Sequence, residues 1–320
     1  MVPLALLQNQ RDLTMTTQAE KGQAFRALHQ RDHAFIIPNP WDAGTARLLA
    51  HLGFEALAST SGGYASSMGL RDYAVGREAM IAHVAALASA THLPVSADLE
   101  NGFADAPGVV AKTISLAAAA GVVGGSIEDA TGRAEHPIYE QGLAAERVRA
   151  AAESACALGF PFTLTARAEN YLHGRRDLRD TIQRLQAYQE AGADVLYAPG
   201  LTSEDEIATL VHSVDRPVNV LMGIPGASLN LAALSAIGVK RVSVGSAWRA
   251  PPLAPFCAPR GKCETMEPLS SRKTPPARER SSPCSRPDKA EKDFVGLEAN
   301  RANLLQEAYR RSRTNACLRR

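Results

Sequence analysis

The chain has 320 residues, a formal net charge of +2 and 45% apolar content, enough for one large domain. With only 5% aromatic residues, its core must be built from Ala, Val, Leu and Ile. No apolar run reaches the ~18 residues of a membrane helix, and the apolar patch at 2–7 lacks the basic flank and cleavage site of a secretory signal, which points to a cytoplasmic protein.

Along the chain, short β-branched runs alternate with Ala/Leu-rich amphipathic stretches. Strands are expected at 34–38, 55–60, 93–98, 122–128, 161–167, 193–198, 217–223 and 241–245. Helices are expected between them at 42–51, 77–91, 107–120, 143–158, 177–191, 203–213 and 228–237. Pro107 and Ser203 suit helix starts, and Gly121, Gly159, Gly192 and Gly238 suit left-handed stops. Alternating units argue a parallel sheet, and eight of them argue a closed (β/α)8 TIM barrel over 18–250, after an N-terminal extension at 1–17. An open doubly wound sheet is the structural rival, but no GxGxxG follows the first strand.

The segment 251–320 breaks this pattern. It holds nine of the 19 prolines, mixed with Arg, Ser and Cys without apolar period, and is expected to be disordered. Charge divides at the same point: 20 Lys/Arg against 25 Asp/Glu before residue 251, 15 against 8 after it. The eighth strand runs into prolines where a closing helix is due. A slip of the reading frame near residue 250 would give that composition, and an inactive, truncated barrel binding small carboxylates at most is the rival functional reading. Resequencing the gene tests the slip: an intact frame with the same tail removes it. The basic residues are scattered with no stacking platform, which argues against a nucleic-acid partner. The cysteines form no close metal pair.

Barrel active sites sit at the C-terminal ends of strands, so the polar residues there carry the functional reading. The third strand ends Asp98-Leu99-Glu100-Asn101-Gly102, the fourth Glu128-Asp129, and the fifth Arg167-Ala168-Glu169. The second ends Ser61-Gly62-Gly63, whose backbone N–H groups could meet a carboxylate or form a plain turn. Clustered carboxylates at one mouth need a cation, and hard oxygen donors point to Mg²⁺ or Mn²⁺. Arg167 is either a carboxylate-binding fork or a structural partner of Glu128 or Glu169. His136 and His173 lie in loops at the same end and read as loop residues before catalytic ones, and Cys156 reads as core. A Schiff-base aldolase needs a Lys at a strand end, but Lys21, Lys112 and Lys240 fall elsewhere.

In this order, Ser61-Gly62-Gly63 with Gly69-Leu70-Arg71-Asp72, then Asp98–Phe103, Glu128-Asp129 and Thr165-Ala166-Arg167, the segments resemble the isocitrate lyase/phosphoenolpyruvate mutase superfamily. The resemblance implies Asp98 as direct metal ligand, with Asp72, Glu100 and Glu128 holding the metal through water. It implies Arg167 and Asp72 as catalytic residues, and a substrate carboxylate held by Arg167 and the Ser61, Gly62 and Gly63 backbone. The superfamily's lyases carry a Lys-Lys/Arg-Cys-Gly-His loop after the fourth strand. Here residues 129–136 hold neither Lys nor Cys, which implies the mutase-like branch that includes oxaloacetate hydrolases. A small 2-oxo or 2-hydroxy carboxylate is the implied substrate, cleaved at a C–C or P–C bond. The superfamily's homo-oligomers swap the last helix, the part altered here.

Overall fold

The computed structural model describes residues 16–223 and 229–246. The expectations for the N-terminal extension before residue 16, the closing helix and the tail lie outside the described residues.

All eight expected strands form: β1 (Phe35–Ile37), β2 (Leu57–Ala58), β3 (Val95–Asp98), β4 (Gly124–Glu128), β5 (Thr163–Arg167), β6 (Val195–Tyr197), β7 (Val218–Leu221) and β8 (Arg241–Ser243). They are parallel and ordered β1-β8-β7-β6-β5-β4-β3-β2. The β1–β2 seam carries no ladder, but the Ala58 N–H donates to the Pro38 carbonyl at 3.1 Å and the Asn39 amide to the Ser59 carbonyl at 3.1 Å. Those two bonds draw the sheet into a nearly closed (β/α)8 barrel.

The seven expected helices are present as α2 (Ala43–His51), α4 (Arg77–Ala90), α5 (Pro107–Ala119), α6 (Gln141–Cys156), α7 (Leu178–Glu190), α8 (Glu204–His212) and α9 (Leu231–Ala236). Gly121, Gly192 and Gly238 each follow a helix at positive φ (95°, 107° and 95°), where a Cβ would be strained. Cys156 corrects the sequence reading: it is the last residue of α6 and exposed, because the helix stops there rather than running on to residue 158.

Two helices were not foreseen, α1 (Gln18–Leu28) and α3 (Ser61–Ser67). In α1, Thr17 and Glu20 form a capping box, and Phe25 and Leu28 bury against Phe35, Ile37, Ala56 and Val123. This small second core closes the N-terminal end of the barrel. The larger core lies between the sheet and the outer helices and is made mostly of Ala, Val and Leu.

The fit of α1 depends on Gly22, where a Cβ would stand 2.2 Å from the Pro161 carbonyl oxygen. Gly22→Ala should therefore destabilise by about 2 kcal/mol, although Ala is about 1 kcal/mol the better helix former. Thermal melts check this; a higher Tm in the variant would mean that α1 does not pack closely on the barrel.

Candidate active site

Strand register assembles the site. Asp98 stands opposite Ser126, Glu128 opposite Arg167, and Arg167 opposite Tyr197. Residues scattered over a hundred positions thus share one level at the C-terminal mouth.

Arg167 is the hub. Its Nη1 donates to Asp98 Oδ1 at 3.0 Å, its Nη2 pairs with Glu128 Oε2 at 3.2 Å and with Glu169 Oε1 at 2.7 Å, and its Nε reaches the same Glu169 oxygen at 2.8 Å. The guanidinium carbon lies 5.1 Å from the centre of the Tyr197 ring. Arg167 forms ion pairs with Glu128 and Glu169, the structural partners named from the sequence, and also lines the mouth cavity.

Three buried carboxylates exceed what one guanidinium neutralises. Burial raises the Glu128 carboxyl well above its ordinary range against the opposing pull of Arg167, and burial pushes Glu169 up to about 7. Glu100 is pushed up to about 8 by burial and then by the charges of Asp98 and Asp72. Asp72 is raised by burial and by Asp98.

The segment after α3 folds back over these acids. A Cβ on Gly62 would lie 2.9 Å from Asp72 Oδ2, and one on Gly63 would lie 2.5 Å from Thr60 Cγ2 and 2.8 Å from the Trp41 ring. The glycine pair thus allows close approach of Asp72 and Trp41, and it forms the first turn of α3 rather than a plain turn. Ser61 N–H donates to Asp98 Oδ2 at 2.9 Å, and Gly63 N–H to its N-cap Thr60 at 3.3 Å. The Gly62 N–H has no acceptor among the described residues. Tyr73, absent from the sequence reading, donates its hydroxyl to Glu128. Its φ of 63° joins Glu100 (48°) and Phe103 (64°) as the non-glycine residues at positive φ among those described, all in mouth loops.

Among the described residues no three His, Cys, Asp or Glu side chains converge as a ready metal cage. The donor set nonetheless suits a hard divalent ion: Asp98, Asp72 and Glu100 offer only oxygen, and Glu100 Oε1 is buried without a hydrogen-bond partner. The mutual repulsion that raises Asp72 and Glu100 is what a cation would relieve.

Asp129, next to Glu128, turns away from the mouth. Its Oδ2 accepts from Tyr188 at 2.6 Å and Arg184 at 3.1 Å, and its Oδ1 accepts from the Glu169 N–H at 2.8 Å. It therefore fixes the loop that carries Glu169. Residues 129–138 form a closed loop, held by an Ala130–Ile138 bridge, the Thr131 N–H to Pro137 carbonyl bond of 2.8 Å, and an Arg133–Asp105 ion pair of 2.9 Å. His136 offers that loop its backbone carbonyl, which accepts from Thr131. Lys21 and Lys240 donate to the Thr91 and Arg31 carbonyls, far from the mouth, in agreement with setting aside an amine nucleophile. No helix among the described residues is long and apolar enough to cross a membrane.

The mouth opens into a cavity of about 190 Å³ lined by Ser61, Asp72, Asp98, Arg167, Asn219 and Arg241, among others. The sequence profile of the family described as phosphoenolpyruvate phosphomutase matches residues 25–251. A solved structure from Burkholderia cenocepacia J2315, described as a candidate lyase/mutase, is 65% identical, with a TM-score of 0.73 over 75% of this chain and 86% of that one. The 2-methylisocitrate lyase of Halalkalibacterium halodurans is 28% identical over 63% of this chain and 67% of its own length. A phosphonopyruvate hydrolase solved with oxalate and Mg²⁺ shares the fold at 23% identity, with a TM-score of 0.67 over 74% of this chain and 84% of that one. Because the profile spans every strand of the barrel rather than a single motif, the chain belongs to the phosphoenolpyruvate phosphomutase family of the isocitrate lyase/phosphoenolpyruvate mutase superfamily of enzymes.

Proposed function

We propose that this protein is a Mg²⁺-dependent enzyme that cleaves a C–C or P–C bond of a small 2-oxo or 2-hydroxy carboxylate. The observation that carries the reading is the pairing of mutually repelling Asp72 and Asp98 carboxylates with a buried guanidinium on one cavity, next to a Glu100 oxygen that is buried without a partner. The phosphonopyruvate hydrolase complex supports it, since that protein of like fold was solved with Mg²⁺ and oxalate.

Asp98 would hold the ion directly, with Asp72, Glu100 and Glu128 around it. A bound divalent ion supplies Lewis-acid stabilisation to the negative charge that builds on the 2-oxo oxygen. The chain's own groups do the remainder. Arg167 presents a planar fork to the substrate carboxylate and gives up part of its pairing with Asp98 to do so. The free Gly62 N–H supplies a second donor, fixed by the helix before the substrate arrives. Tyr73, whose ring packs beside Gly132, holds Glu128 in place by its hydroxyl. The loop at 129–136 has no Cys to act as acid or base, which speaks against the lyase reaction of the 2-methylisocitrate enzymes.

The test is a melt of the protein with and without Mg²⁺ plus oxalate. Ligand at 100 times its Kd should add about 2.7 kcal/mol of stability. Asp98→Ala should abolish that shift while still melting cooperatively. A well-folded wild-type protein with no shift would overturn the reading and leave the carboxylates as structural groups.

A further inference from the structure

Arg241 is a buried guanidinium with no carboxylate. It lies at the start of β8, inside the barrel, and its residue is only 5% exposed. Its Nε donates to Asn219 Oδ1 at 2.8 Å, its Nη2 to Thr165 Oγ1 at 3.0 Å, and its Nη1 approaches His29 Nε2 at 3.4 Å. Every one of these partners is neutral. Of the other buried arginines, Arg167 and Arg184 pair with acids; Arg147 also lacks an acid, but it spends its donors on the Asn101, Ala104 and Asp105 backbone carbonyls and does not line the mouth cavity. Among the described residues no acid pairs with Arg241.

The geometry that keeps it there is purposeful in its parts. His29 bonds through Nδ1 to the Phe25 carbonyl at 2.9 Å and stacks edge-on between Phe25 and Phe35. Burial and the adjacent Arg241 push its pKa down to about 3, so the ring is neutral and offers Nε2 as an acceptor to the guanidinium. Asn219 is held in turn by its own amide, which donates to Ser243 at 3.0 Å. Burial brings Arg241 down only to about 10, so it stays charged at neutral pH. An arginine has five N–H donors, and the three acceptors here leave donors over.

Arg241 also lines the same cavity as Asp98 and Arg167. The other strands carry small groups on the cavity, Ala58, Ser96 and Ser126, as does β8 itself at Ser243. A buried charge without a counter-ion is costly, and one that lines a cavity can be offset by an anionic ligand.

We propose that Arg241, with Asn219 beside it on the cavity, forms a second anion subsite inside the barrel, and that it takes the distal carboxylate of a dicarboxylate substrate whose 2-oxo acid end sits at Arg167 and Asp98. The subsite rests on the reading of the mouth as the 2-oxo acid site, and it narrows the substrate class to dianions. The cavity, of about 190 Å³, has room for a compact dicarboxylate.

The experiment measures competition by matched ligands in the Mg²⁺-loaded full-length protein. Oxaloacetate and 2-oxoglutarate are compared with 2-oxobutyrate and 2-oxopentanoate, the monocarboxylates of equal chain length. Stopped-flow binding or displacement of a reporter ligand gives each affinity. At least one dicarboxylate should bind tenfold or more tighter than its monocarboxylate match. Arg241→Gln should bring that ratio to about one, and Arg241→Lys, which keeps the charge, should retain a ratio above three. Oxalate, too short to reach the floor, should bind all three proteins within about twofold. A preference for dicarboxylates that survives in Arg241→Gln, or none in the wild type, overturns the subsite. If Arg241→Gln does not fold, the Arg241→Lys ratio decides: a value equal to the wild type's with ordinary stability supports a charge-based subsite, and a value of one overturns it. Failure of oxalate to bind the wild type is a separate result, which removes the mouth reading and with it the subsite.

Discussion

Arg167→Met should cost about 3–5 kcal/mol of stability in metal-free protein at pH 8, and should abolish binding of oxalate. Removing one partner of a buried ion pair leaves the other charge uncompensated, and here three acids, Asp98, Glu128 and Glu169, lose their cation together. The loss should shrink on acidification. Glu128 and Glu169 have folded-state pKa values raised above their ordinary range, Glu169 to about 7. An acid raised on folding binds its proton more tightly in the folded state, so its stabilising contribution is complete below the ordinary carboxylate range and is lost as pH rises through the folded value. Without Arg167, which lowers both, these values climb further. The variant should thus approach the wild type near pH 5, where both acids are protonated, and diverge from it by pH 8. Urea unfolding at the two pH values checks this. A pH-independent loss would mean that packing, not charge, explains the residue.

Asp129→Ala should cost about 3 kcal/mol although the residue does not touch the cavity. It strips the buried Arg184 of one acid, the Tyr188 hydroxyl of its acceptor and the Glu169 N–H of its partner. Arg184 keeps Asp180 at 2.9 Å, which limits the damage. Asp129→Asn, which retains one acceptor oxygen, should lose less. Because Asp129 anchors the Glu169 loop, and Glu169 orients Arg167, oxalate should bind Asp129→Ala several-fold more weakly even where the variant is folded. Equal affinity in a destabilised variant would confine Asp129 to a structural role.

Asp129 and Glu128 are adjacent in the chain and face opposite environments, a consequence of strand alternation that the sequence alone does not orient. Glu128 closes β4 at the mouth, and Asp129 turns out to meet α7. The same ambiguity applied to Arg167, whose partners could be named from their strand-end positions but not chosen among, since three acids reach it through register. Tyr73 was passed over because a tyrosine after an Asp carries no periodicity; only the fold-back of its segment brings it to Glu128. Arg241 looked like an ordinary first residue of a strand, and the absence of an acid beside it is a fact of three dimensions.

What the sequence by itself determined was the repeat: eight β-branched runs, the first seven each followed by a helix, with glycines such as Gly121, Gly192 and Gly238 at positive φ just past helix ends. Hydrophobic period and turn chemistry are local, so they are legible one segment at a time. The polar residues at strand ends were legible for the same reason, because a parallel barrel places all those ends on one face. The helix α1 escaped because its mean pattern is polar and only its packing on Phe35 and Val123 secures it. The helix α3 escaped because glycine and serine disfavour helix, and the Thr60 cap with the close approach of Asp72 and Trp41 overrides that preference. Tertiary structure alone decided which acids share Arg167, which acid was left without a partner, and that the second guanidinium on the cavity has no acid beside it, because these depend on burial and register across strands far apart in the chain.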